Sequence, residues 1–200
     1  MEISRSFQHY MQALYQNFTA FDAQQTDRIQ RYRNVEPESA LFLAMQIHIQ
    51  QSKEVLEIGT STGYSTLWLA HAAQQTQGRV TTLEIDPART AQAQHHAQEL
   101  GLDDVIDFWV GDAEKYLAKT TQQYDFIFLD AERDAYVGYW ASLQKMLNPC
   151  GGVLIVDNVI SHAAQVKCFI ELIENDPRFI SMTLPIGAGF YMVCSQSCSV

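Results

Sequence analysis

The chain has 200 residues, of which 47% are hydrophobic and 11% aromatic; this composition excludes disorder and supplies a core for one domain. Only 18% are charged, and 13 Lys and Arg against 23 Asp and Glu leave a formal charge of −10. A field of that sign repels phosphate, which argues against generic binding of nucleic acid or an anionic membrane. No apolar run approaches the roughly eighteen residues of a membrane span. The opening Met1-Glu2-Ile3-Ser4-Arg5 lacks the basic and then apolar pattern of a signal peptide. Cys150, Cys168, Cys194 and Cys198 form no Cys-x-x-Cys pair, and no second ligand pair completes a zinc site. Free thiols in a reducing cytoplasm are the expectation.

No repeat or Gly/Ser linker divides the sequence, so 1–200 reads as a single domain in which 1–50 form a helical extension. Phe7, Met11, Leu14 and Phe18 recur at intervals of three and four, the mark of one buried helix face. A second helix starts at Glu36-Pro37, with proline in its first turn, and runs through the apolar residues Leu41, Phe42, Met45 and Ile49. From Lys53 onward, short apolar runs alternate with helical stretches. The runs are 55–58, 80–85, 105–110, 126–129 and 153–156; the helices between them are 64–74, 87–100, 113–119, 136–147 and 163–174. Strands that are apolar throughout, each followed by a helix, call for a parallel sheet covered on both faces. The segments 179–184 and 190–194 flank Pro185-Ile186-Gly187-Ala188-Gly189 and read as a closing antiparallel hairpin. The fold class is therefore α/β, a doubly wound and mostly parallel sheet.

Ligands of such sheets bind beyond the carboxyl ends of the strands. Acids collect there: Glu57 within the first strand, Glu84 closing the second, Asp112 just after the third, Asp130 closing the fourth and Asp157 closing the fifth. The first turn, Glu57-Ile58-Gly59-Thr60-Ser61-Thr62-Gly63-Tyr64-Ser65, departs from the G-x-G-x-x-G spacing of dinucleotide sites. Its acid two residues before one glycine, and a second glycine four residues later, match the turn of S-adenosylmethionine enzymes. An unpaired carboxylate at Glu57 in an apolar strand is costly, and the amino group of a methionine moiety would satisfy it. Glu84 stands where an acid hydrogen-bonds ribose hydroxyls. Asp86 before Pro87 reads as a helix N-cap, whereas Asp112 suits either a cap before Ala113 or an acceptor for the adenine amino group. With strand order 3-2-1-4-5, Asp130 falls beside Asp157 and Asn158. Two carboxylates and an amide carbonyl make a hard oxygen set for Mg²⁺ or Ca²⁺, with Mn²⁺ as a further candidate. His162 reads as a surface or supporting residue. Tyr136, Tyr139, Trp140 and Phe190 either wall a planar substrate or belong to the core.

The motifs Val55–Ser65, Tyr124–Ala131 and Gly151–Asn158, in this order, resemble the cation-dependent O-methyltransferases, which include catechol and caffeoyl-CoA O-methyltransferases. The resemblance implies a seven-stranded sheet with the last strand antiparallel between the fifth and sixth, S-adenosylmethionine and a divalent cation as cofactors, and a homodimer. It places Glu57, Gly59, Thr60, Ser65, Glu84, Asp112, Ala113 and Asp130 against S-adenosylmethionine, and Asp130, Asp157 and Asn158 on the metal. The acceptor it implies is a small hydroxylated aromatic with vicinal oxygens. A tRNA wobble 5-hydroxyuridine is the alternative; Arg28, Arg31 and Arg33 form a local basic patch for it, against the overall charge. A nicotinamide dehydrogenase, or a cofactor binder without turnover, are rivals from other classes. The family's lysine, three residues after the first metal aspartate, is here Arg133, which cannot act as a base. Either Arg133 stabilises an oxyanion made by the metal alone, or Glu132 or Asp134 takes the proton. The loop Gly187-Ala188-Gly189-Phe190 also lacks an aspartate that many bacterial relatives carry.

Overall fold

A computed structural model describes residues 1–196, so Cys198 lies outside the described residues. Helices α1 (Arg5–Gln24) and α2 (Pro37–Gln50) precede β1 (Glu54–Ile58), α3 (Tyr64–Thr76), β2 (Arg79–Glu84), α4 (Pro87–Glu99) and β3 (Ile106–Val110). Then come α5 (Ala113–Leu117), β4 (Phe126–Leu129), α6 (Tyr136–Met146), β5 (Val153–Val156), α7 (Ala163–Glu174), β6 (Phe179–Leu184) and β7 (Phe190–Ser195). The sheet order is β3-β2-β1-β4-β5-β7-β6. The first five strands pair in parallel, and β7 runs antiparallel between β5 and β6. The expected α/β class, the antiparallel close and the N-terminal helices are all present. Among the described residues no helix is long and apolar enough to cross a membrane.

Strand alternation sorts the core into two layers. On β1, Val55 packs with α1, α2 and α3, while Leu56 and Ile58 pack with α6 and α7. The central strands β4 and β5 are buried at every position, which is why they read as unbroken apolar runs. The edge strand β3 departs from that expectation: Asp107 and Val110 face solvent because, among the described residues, no further strand covers the outer flank. Ile85 also lies beyond its strand and is 71% exposed. On α1 the buried residues are Phe7, Met11, Leu14 and Phe18, as the spacing requires.

The packing of α2 differs from the face its apolar spacing suggests. Its buried residues are Ser39, Ala40, Leu43, Ala44 and Ile47, packed on α3, whereas Met45 and Ile49 are turned outward. The helix is apolar on nearly all sides, so its periodicity does not say which side meets the sheet. Small residues decide it, because Ala40 and Ala44 allow close approach to the Ala-rich α3.

Three bonds hold the carboxyl ends of the central strands in step: Gly59 N–H to Leu83 O (2.9 Å), Asp130 N–H to Ile58 O (2.9 Å) and Asp157 N–H to Leu129 O (3.1 Å). Over these ends runs a strap, residues 25–36, between α1 and α2. Tyr32 stacks on Phe21 with ring centroids 4.2 Å apart, and Ser61 Oγ donates to the Tyr32 carbonyl (2.9 Å).

Truncating Leu43 to Ala is expected to cost about 2–5 kcal/mol in urea denaturation. Ile85→Ala should stay within about 0.5 kcal/mol, since it leaves no cavity.

Candidate active site

Beneath the strap lies a cavity of about 710 Å³, within the ordinary size of a small-molecule site. Gly59, Ser61 and Ser65 line it from the first turn, Glu84 and Asp112 from the ends of β2 and β3, and Asp130 and Asn158 from the far side. The turn is tight for a specific reason. Gly59 sits at φ +107, and a Cβ there would fall 1.9 Å from the Asp130 carbonyl oxygen. Gly63, at φ +91, would press a Cβ to 2.7 Å from that of Ala93 on α4.

Glu57 is fully buried and does not line the cavity. Its oxygens accept from Ser65 Oγ (2.6 Å), Thr66 Oγ1 (2.5 Å) and Thr82 Oγ1 (2.6 Å). The expectation of an unpaired carboxylate awaiting a ligand's amino group is thus corrected: three hydroxyls from α3 and β2 already satisfy it. Burial raises its pKa to about 7, against the hydroxyl donors that favour the anion. Thr60 is also turned inward. Its hydroxyl lies 2.5 Å from that of Thr82 beneath the turn, and its side chain is absent from the cavity wall. Glu57 and Thr60 hold the turn in shape, and Ser65 alone among Glu57's three donors lines the cavity.

Glu84 receives the backbone N–H of Ser61 (2.8 Å), Ile85 (2.9 Å) and Asp86 (3.0 Å), which fixes its carboxylate on the cavity wall. Asp86 caps α4 through Ala88 N–H (2.7 Å). Asp112 caps α5 through Glu114 N–H (3.0 Å) and also lines the cavity, so its two suggested roles are compatible. Of the four aromatics, only Tyr139 lines the cavity. Tyr136, Trp140 and Phe190 are core residues, and the Tyr136 hydroxyl bonds the backbone of Ala131. In the basic patch, Arg31 donates to the Gln25 carbonyl (2.9 and 3.1 Å), and Arg33 pairs with Glu132 (3.1 Å). The side chain of Arg28 lies outside the described residues.

The three oxygen-bearing side chains converge as the strand order requires. Asn158 Nδ2 donates to Asp130 Oδ1 (3.2 Å) and Asp157 Oδ2 (2.9 Å), and Asn158 N–H donates to Asp157 Oδ1 (2.7 Å). Asn158 holds a left-handed φ of 67, braced by the 187–190 loop: the carbonyls of Gly189 and Ala188 accept from Val159, Ile160 and Ser161 N–H. Sequence reasoning did not find this brace, although the two glycines of that loop were its signal. Burial, then the charge of Asp130, raises the Asp157 pKa to about 8. Burial raises Asp130 to about 6, while Arg133 and Arg33 oppose the shift. Two crowded carboxylates, Asp157 buried and Asp130 half-buried on the cavity wall, fit a divalent cation. Rotating the Asn158 amide would present its carbonyl as the third oxygen. Among the described residues no group of three His, Cys, Asp or Glu forms a metal site, and Cys150, Cys168 and Cys194 are free thiols. The third donor here is an amide. Arg133 lines the same end, its buried Nε without a hydrogen-bond partner. Glu132 is 77% exposed, and Asp134 does not line the cavity.

The model of the family described as O-methyltransferase matches residues 1–196. The chain is 34% identical over 131 residues to a catechol O-methyltransferase of Niastella koreensis, covering 64% of this chain and 58% of that one. It is 37% identical over 151 residues to a catechol O-methyltransferase of Mycobacterium tuberculosis, covering 74% and 65%. These matches therefore span less than two thirds of the relatives' own lengths. An O-methyltransferase from Bacillus cereus, solved in complex with SAH, superposes with a TM-score of 0.77 at 28% identity, covering 94% of this chain and 91% of that one.

The native state holds protons on Glu57, Asp130 and Asp157 that the unfolded chain has already released. Without divalent cation, stability should therefore fall as pH rises from about 5 through about 8. Urea midpoints measured across that range in chelator test this, and Asp157→Asn should flatten the upper part of the decline.

Proposed function

Since the chain belongs to the O-methyltransferase family, we propose that it transfers the methyl of S-adenosylmethionine to one hydroxyl of a small aromatic acceptor with vicinal oxygens. A divalent cation, Mg²⁺ before Ca²⁺ or Mn²⁺, would be held by Asp130, Asp157 and Asn158. The observation that carries this reading is the convergence of those three side chains: Asp130 and Asn158 line one end of the cavity whose other wall is the glycine turn, and Asp157 lies directly behind Asn158. When bound, the sulfonium supplies an electrophilic methyl, and the cation lowers the pKa of a chelated hydroxyl.

The chain's own residues bind, orient and stabilise. The wall of Gly59, Ser61 and Ser65 suits the methionine moiety, Glu84 the ribose hydroxyls, and Asp112 with Ala113 the adenine. Asp130 stands between both halves, since its backbone is locked to Ile58 and its carboxylate meets Asn158. Holding donor and acceptor in line is worth roughly 7–11 kcal/mol of barrier. Arg133 stays protonated, so it serves as a fixed positive charge for the oxygen that loses its proton. Its unpartnered Nε is available for that oxygen. The exposure of Glu132 and the position of Asp134 outside the cavity leave neither as a ready base. Arg31 is engaged within the protein by the Gln25 carbonyl, which with the overall negative charge favours a small acceptor over tRNA.

A homodimer belongs to the same reading. Ile180 and Met182 on β6 pair with Cys194 and Met192, on the sheet face that α2 covers. Ile180, Met182, Met45 and Ile49 are all exposed apolar residues, which a second copy would bury. Sedimentation should give twice the chain mass, and Ile49→Asp with Met182→Asp should give the single-chain mass.

Asp157→Ala is expected to abolish methyl transfer from radiolabelled S-adenosylmethionine to diphenols, while calorimetric affinity for the cofactor stays within several-fold. Excess EDTA should do the same to the unaltered protein. Undiminished turnover in either case refutes the cation's role. Cofactor binding without transfer to any diphenol, Mg²⁺ present, would favour a binder that has lost turnover.

A further inference from the structure

The arginines around the cavity are not equivalent. Arg31 is spent on the Gln25 carbonyl, and Arg89 on the carbonyls of Ile29 (2.9 Å) and Arg31 (3.0 Å). These contacts shape the strap. Arg33 has a different setting. Its backbone lies at φ 55, a region L residues seldom adopt, and Asp22 holds it there by accepting from Tyr32 N–H (2.7 Å) and Arg33 N–H (3.0 Å). The guanidinium is thereby carried across the cavity mouth to Glu132, whose carboxylate is 77% exposed, on the loop that follows β4. Arg33 lines the cavity, and its charge acts on the Asp130 carboxyl at the acceptor end. A pinned, unusual backbone that ends in an exposed ion pair is a poor investment in stability, because exposed pairs contribute about 0–1 kcal/mol. It makes better sense as a site that presents a guanidinium to a ligand.

We propose that Arg33 determines acceptor specificity by receiving a carboxylate borne on the acceptor ring, with Glu132 occupying that position until the acceptor enters. The inference rests on the methyl-transfer reading above and names its substrate class: an aromatic acid with two vicinal hydroxyls. A carboxylate matches the planar fork of a guanidinium in two parallel hydrogen bonds. Glu132 is solvated, so its departure into water leaves no buried charge behind. While it stays, it repels a second carboxylate and tunes the preference. The acid at Arg33 and the diol at Asp130 and Asn158 fix the ring at two points, which also decides which hydroxyl is methylated.

The test compares 3,4-dihydroxybenzoate with its neutral carboxamide, by kcat/KM with Mg²⁺ and by calorimetric binding in the presence of S-adenosylhomocysteine. The unaltered protein should prefer the acid. Arg33→Gln should lower the acid-to-carboxamide ratio of kcat/KM and of affinity about 10- to 100-fold, the range of a charge-assisted hydrogen bond, because any effect on Asp130 is common to both acceptors. That carboxamide activity doubles as the control for folding. Glu132→Gln, on the exposed loop, should raise the acid-to-amide ratio several-fold and shift the ratio of the two methylated products. An acid-to-amide ratio unaltered in both variants overturns the proposal and leaves methyl transfer standing. Failure of the unaltered protein to methylate any diphenol overturns both.

Discussion

Two carboxylates from neighbouring strand ends, one buried and one half-buried, tied together by a single amide, set the character of this molecule. Asp130 and Asp157 each carry a burial cost, and each makes the other's charge more expensive. Their separation follows from parallel pairing of β4 and β5, since Leu129 and Val156 are partners in register and each aspartate is the next residue. Such an arrangement is tolerated when protonation, positive neighbours or a cation relieve it. The surroundings supply part of that relief in Arg133 and Arg33.

The opposite wall of the cavity uses a buried acid in a different way. Glu57 is as deeply buried as any residue in the chain, yet all its donors are hydroxyls of Ser65, Thr66 and Thr82. Hydroxyls satisfy it without adding charge, so the carboxyl ties β1, β2 and the start of α3 into one rigid turn. Gly59 completes that turn because the Asp130 carbonyl occupies the space a side chain would need. One backbone contact therefore couples the two walls, and a change in the glycine turn is transmitted directly to the paired aspartates.

Most of the architecture was legible because its physics is local. Proline at 37 and 87, the Asp86 cap, and the fully apolar runs at 126–129 and 153–156 each declare an element without help from distant residues. What the sequence left open shares one cause. Met45 and Ile49 on α2, Val110 on β3, and Tyr136, Trp140 and Phe190 are apolar or aromatic residues whose environment depends on what the chain brings against them. Polarity and spacing state that such a residue can be buried, and leave open where it is.

By itself, the sequence determined the order of strands and helices, the acids at the strand ends and the motif family, because periodicity, capping and turn chemistry act over a few residues. Only the tertiary structure decided that Glu57 is satisfied from within, that Arg31 and Arg89 serve the strap, and that Arg33 reaches across 99 positions to Glu132. Those outcomes turn on which donors meet which acceptors across strands and loops, and chain closure brings such partners together without leaving a periodic trace.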